Sequence, residues 1–186
     1  MLFGSRDRFA IESMAEPHLC SSSQVWGRMC IWCNGTEIGD YSDEHCGLFD
    51  AYDGFRTLRE LLASNWLPEF EGLSDNDLWN LLDGALYGYH GDREINVLRT
   101  IEQCREDSDR YYRFIFLTNW GEQFDGNGKS FIVCRPDDVV RVLNRSLGDS
   151  PNFSLEVPRA EAIETIQKFL DWFDNESMRL TGKLPS

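Results

Sequence analysis

Trp26-Gly27-Arg28-Met29-Cys30-Ile31-Trp32-Cys33-Asn34-Gly35-Thr36-Glu37-Ile38-Gly39-Asp40-Tyr41 is the stretch whose reading fixes the start of the fold. Asn-Gly between two apolar runs marks a two-residue hairpin turn, because both central positions need a positive φ. Gln24 to Cys33 is therefore one strand and Thr36 to Tyr41 its return. Upstream, Arg8 to Glu12 alternates, with Phe9 and Ile11 on one face, which is the period of a half-buried strand. With Pro17 to Ser23 as a loop, the chain opens as a three-stranded meander.

The period then changes. Phe55, Leu58, Leu61 and Leu62 recur at helical spacing, and that helix should stop between Asn65 and Pro68. Ser74 and Asp77 form a capping-box-like start for a second helix with the stripe Leu78, Leu81, Leu82, Ala85 and Leu86. A third helix is expected over Glu94 to Glu106, with Ile95, Leu98 and Ile101 inward. Tyr111 to Thr118 is apolar on both faces and reads as a central strand. Asp125 to Gly128 reads as a turn, Ser130 to Arg135 and Asp138 to Asn144 as strands, and Phe153 to Val157 as a short extended piece. Pro158 suits the first position of a closing helix that runs to about Leu180 and turns Ile163, Ile166, Phe169, Leu170 and Phe173 inward. The order β-β-β-α-α-α-β-β-β-α predicts the α+β class: a mostly antiparallel sheet of about six strands, packed by about four helices, in one domain spanning residues 1–186.

The 186 residues carry 18 Lys+Arg against 32 Asp+Glu, a net charge of −14. That balance argues against coating nucleic-acid phosphates or lying on an anionic membrane, and favours basic partners. The excess is local. Between Glu37 and Asp92 thirteen acids face two bases, Arg56 and Arg59, a net −11. The opening residues contain no apolar signal region, and no apolar run reaches membrane-spanning length. The six cysteines are accordingly expected as reduced thiols in the cytoplasm.

Motifs for chemistry are sparse. Cys30-x-x-Cys33 with His45-Cys46 offers four zinc-ligand types, yet residues three apart on a strand point to opposite faces, so small buried hydrophobes fit better. Gly128-Lys129-Ser130 ends like a phosphate loop, but Gln123 stands where the first glycine belongs and a strand follows. Tyr89-His90-Gly91-Asp92 could pair a base with a carboxylate but reads better as a polar turn. No catalytic residue, metal or cofactor is expected. Aromatics beside acids suit a protein interface, and the candidate contacts are Asp40, Tyr41, Asp43, Glu44, Asp50, Tyr52, Asp53, Trp120 and Glu122.

Arg8-Phe9-Ala10-Ile11-Glu12, Trp26 to Trp32, and Gly35-Thr36-Glu37-Ile38-Gly39-Asp40-Tyr41 together resemble the Immunity protein 42 family of bacterial polymorphic toxin systems. Leu58-Arg59-Glu60-Leu61-Leu62, Phe124-Asp125-Gly126 with Lys129, and Phe169-Leu170-Asp171-Trp172 extend the resemblance towards the C-terminus. The residues at Asp43 to Asp53 and at Asn127-Gly128 depart from it as insertions. The resemblance implies a cytoplasmic antidote that binds the C-terminal domain of a cognate toxin and blocks it, with no catalytic residues to carry over. The acidic segment favours a basic toxin such as a nuclease. The competing readings are a small enzyme that reverses a toxin's modification and a zinc-stabilised adaptor.

Overall fold

Both residues of the decisive turn adopt the left-handed conformation that a tight hairpin demands, with φ 51° at Asn34 and 77° at Gly35. The computed structural model describes residues 1–21, 24–90, 93–95, 99–124, 128–145 and 153–185. Around the turn, strands β1 (Leu2–Gly4), β2 (Phe9–Ala15), β3 (Trp26–Cys33) and β4 (Thr36–Ile38) form an antiparallel sheet in that order, and β5 (Cys46–Gly47) also pairs with β3. The β4 strand is shorter than expected because Gly39 turns the chain with φ 110°. The inner face of the sheet presents Phe9 and Ile11 of β2 and Met29, Ile31 and Cys33 of β3 to the core.

Helix α1 (Phe49–Leu61) buries Ala51, Tyr52, Phe55 and Leu58, and the chain tightens into a 3-10 turn at Leu62–Ser64. That stripe continues into Leu62, which leaves Leu61 off it and 38% exposed instead of inward. Helix α2 (Asp75–Tyr87) starts where Ser74 accepts the Asp77 amide, as the sequence predicts. A small hairpin, β6 (Tyr89–His90) with β7 (Arg93–Glu94), follows.

The third helix is displaced from its expected span. Glu94 belongs to β7, and α3 runs Ile101–Tyr111, opened by a reciprocal capping box between Thr100 and Gln103. Ile101 is 81% exposed, Ile95 is half-buried, and Leu98 lies outside the described residues. Arg99 decides the start. Its guanidinium donates to the carbonyls of Gly84 and Ala85 at the end of α2 and to Asp107 of α3.

The second sheet runs β11 (Phe153–Pro158), β10 (Val139–Arg145), β9 (Lys129–Cys134), β8 (Ile115–Phe116), all antiparallel. The strands are thus divided over two main sheets, not joined in one. Tyr111 to Thr118 is not a central strand: α3 carries through Tyr111, a 3-10 turn takes Tyr112–Phe114, and only two residues remain as the edge strand β8. The continuous apolar run buried on both faces is β9. It turns Ile132 and Cys134 towards one core with α1 and α4, and Phe131 and Val133 towards another with α2. Helix α4 (Arg159–Thr181) closes the first core with Ile166, Phe169, Leu170 and Phe173. Pro158 ends β11 and caps α4 from outside its first turn.

A two-residue β8 cannot satisfy the whole free edge of β9. Fully buried Asn65 completes it: its side-chain amide donates to the Ile132 carbonyl at 2.8 Å, and its own carbonyl accepts the Cys134 amide at 2.8 Å. Asn65→Ala should therefore lower unfolding free energy by about 2 kcal/mol, since a buried carbonyl loses its donor. Thermal melting checks this, and an unchanged midpoint would show the edge to be satisfied otherwise.

Candidate partner-binding surface

The loop after β4 is shaped by its own acids. Asp40 accepts the Ser42 amide at 2.9 Å and its hydroxyl at 2.5 Å, and Asp43 accepts the His45 amide at 2.9 Å. Both are side-chain-closed turns, the local geometry for which Asp is favoured. The Ser42 hydroxyl bond is the main reason that the Asp40 carboxyl is held below the usual range. The Asp40 amide donates to the Gln123 carbonyl at 2.8 Å, which fastens this loop to the 3-10 turn Glu122–Phe124. Gly39 must be glycine at its left-handed φ, and a Cβ there would press the Phe124 ring at 3.0 Å.

The Cys46 thiol is pushed up to about 12, by burial first and then by the charges of Asp43, Glu122 and Asp40. Beside them lies a groove of about 380 Å³ lined by Trp26, Gly47, Phe49, Asp50 and Glu122. Asp50 and Glu122 are exposed and, among the described residues, neither has an ion-pair partner. Two of the sequence-predicted acids, Asp50 and Glu122, thus line one groove, and the loop of Asp40 and Asp43 is fastened to the turn that carries Glu122.

The other predicted contacts are differently placed. Glu44 pairs with Arg28 at 2.6 Å and Asp53 with Arg56 at 2.5 Å. Tyr41 is half-buried. Tyr52 is 6% exposed, stacked on Phe173, and donates to Asp174 at 2.9 Å, so its ring serves the α1–α4 packing. Burial and that bond raise its hydroxyl pKa. Trp120 stands edge-on to Phe55 and Phe116, over Gly54, where a Cβ would come within 2.5 Å of its ring. It is positioned by Leu117 and Asn119, both left-handed with φ 63° and 65°, a strained arrangement for a leucine.

The −11 stretch is not one surface either. Glu69 binds Arg110, Asp75 binds Arg141 and buried Asp83 binds Lys129, so bases from later in the chain neutralise three acids of its second half. Lys129 is thereby committed at 2.6 Å to Asp83, and its ammonium also sits over Tyr87 and Tyr89. A phosphate-binding role for Gly128-Lys129-Ser130 does not fit that geometry. Asp125 to Asn127, Gly91 and Asp92 lie outside the described residues.

The cysteine cluster does not assemble. Cys33 faces the core between the sheets, while Cys30, opposite Glu12, is on the other face of the strand. Burial pushes both thiols up, which disfavours the thiolate a metal needs. Among the described residues, Glu16, His18 and Glu44 come within 4.8 Å of one another, but the Arg28 guanidinium bridges the two carboxylates at 2.7 and 2.6 Å. A cation of the protein's own already occupies that position. No described helix is long and apolar enough to cross a membrane.

Comparison with known proteins agrees with this architecture. The crystal structure of CdiI from Burkholderia dolosa AUO158 superposes with a TM-score of 0.63 over 92% of this chain and 99% of that one, at 14% identity, a likeness of fold. No protein with a curated description matches the chain. The sequence model of Immunity protein 42 matches residues 1–172, across both sheets and most of α4. The chain belongs to the Immunity protein 42 family.

Proposed function

We propose that this immunity protein neutralises its cognate toxin in the cytoplasm by stoichiometric binding, as a single domain spanning residues 1–186, and that the toxin domain it covers is basic, as a nuclease with a positive substrate groove is. The carrying observation is the groove that the unpaired acids Asp50 and Glu122 line with Trp26 and Phe49, next to the loop of Asp40 and Asp43. Unneutralised acids at a rim speed encounter with a basic partner and select it, while apolar groups beside them retain it. Because Asp40 and Asp43 shape their own loop, Asp50 and Glu122 are the residues to reverse, with melting compared because Asp50 stands in the first turn of α1.

The test begins with affinity capture of the tagged chain from its native lysate and titration of the captured toxin. Protection that saturates near one equivalent supports an inhibitor, whereas substoichiometric protection would indicate an enzyme. Asp50→Lys with Glu122→Lys should slow association about tenfold at low salt, and the difference should shrink as salt screens the charges. Unchanged association would remove the basic-partner reading and leave the inhibitor reading standing.

A further inference from the structure

We propose that the toxin anchors itself in the apolar groove between α1 and β8, inserting an apolar side chain beside one of its own carboxylates, which Arg113 receives. This rests on the inhibitor reading above and adds the anchor to it. The groove measures about 260 Å³ and is walled by Leu58, Leu61, Ile115 and Trp120, with Tyr112 and Arg113 at its side. That volume is below the roughly 300–1,000 Å³ of sites that engulf a small molecule, and suits one or two side chains of a protein anchor. Leu61 and Tyr112 are 38% and 62% exposed, so the apolar wall faces solvent.

Arg113 names the occupant's charge. In this acid-rich chain Arg28, Arg99, Arg110, Arg135 and Arg141 each hold a carboxylate. Among the described residues none lies within ion-pair distance of Arg113. Its guanidinium rests over the Phe114 ring at 4.9 Å and donates to the Trp66 carbonyl at a long 3.4 Å, while its buried Nε has no acceptor. Arg113 lines the groove, and the Nη protons not given to Trp66 are complementary to a carboxylate arriving there. Helix α1, which walls the groove with Leu58 and Leu61, carries Asp50 at its other end, roughly 17 Å from Leu61 at 1.5 Å per residue. One interface of ordinary size spans both, with the acids steering and the groove holding.

The experiment uses the full chain and the purified toxin that the wild type captures, measuring association and dissociation rates at fixed salt. Leu61→Glu should weaken affinity about thirtyfold and Arg113→Gln about tenfold, both through faster dissociation. Leu61→Ala, at an exposed helix position, guards against misfolding and should lose several-fold, with melting temperatures compared throughout. Wild-type binding with all three variants within twofold of it would overturn the groove and leave the inhibitor reading intact. A wild type that binds no toxin would overturn both. A free protein that sediments as a dimer, and as a monomer after Leu61→Glu, would assign the groove to a second copy of this chain and overturn the proposal.

Discussion

Phe55→Ala is expected to cost about 4 kcal/mol of unfolding free energy, the middle of the range for a buried aromatic. Phe55 is fully buried, and its ring stands edge-on to Phe116, Trp120 and Phe169 at centroid distances of 6.2, 5.1 and 5.4 Å. It therefore ties α1 to the edge strand of the second sheet, to the strained segment after it and to α4. Truncation loses the transfer free energy of the ring and opens a cavity that three aromatic walls cannot easily collapse. Each edge-to-face pair adds roughly 0.5–1.5 kcal/mol beyond buried area. Urea denaturation should show a lowered midpoint at unchanged slope. A loss under about 1.5 kcal/mol would mean that the rings do not meet at this point. Trp120 also loses its support, so its fluorescence should shift towards that of a wetter indole.

Lys129→Ala should cost about 3 kcal/mol. The Asp83 side chain is 6% exposed and its oxygen receives the Lys129 ammonium at 2.6 Å. Removing the cation leaves a carboxylate buried on α2 without compensation, and breaking such a pair typically costs roughly 3–5 kcal/mol. The lower figure applies because the Lys129 side chain is 30% exposed, so water can reach the site. The melting temperature should fall by about 6–12 °C for a chain of this size. The double variant Asp83→Leu with Lys129→Met should recover most of the loss, because it removes the charge together with its partner. A single variant within 1 kcal/mol of wild type would show that Asp83 is hydrated.

How far the sequence reaches can be judged at particular elements. Asn34-Gly35, the Ser74 cap and the inward stripe of α4 were legible because each is a local rule: a turn that needs positive φ, a side chain that bonds an amide three residues on, a period of 3.6. Of the strand expected over Tyr111 to Thr118 only Ile115–Phe116 forms, because β propensity describes fitness for a half-buried pleated surface, and Tyr111 and Phe114 packed from a helix end and a 3-10 turn instead. Thr100-x-x-Gln103 was the signal available for the true start of α3, and hydrophobic period alone does not register it. At the surface, Asp50 and Glu122 were proposed as contacts from their aromatic neighbours, but Arg113 carried no signal at all. Among the described residues Arg105 and Arg145 also lack a carboxylate, and what sets Arg113 apart is its place at the groove, which is a property of space.

By itself, the sequence determined the α+β class, the opening meander, the family and the acidic excess, all of which depend on composition or on residues a few positions apart. Only the tertiary structure decided that the strands divide over two sheets, with β9 buried on both faces between α2 and α4. Only it decided which of the acids remain unneutralised, because the bases that pair with Glu44, Glu69, Asp75 and Asp83 lie between 16 and 66 positions away or are brought near by packing alone. Local rules act through bonds and turns that any window of sequence contains. Charge neutralisation and strand partnership act across the core, and they exist only once the core has formed.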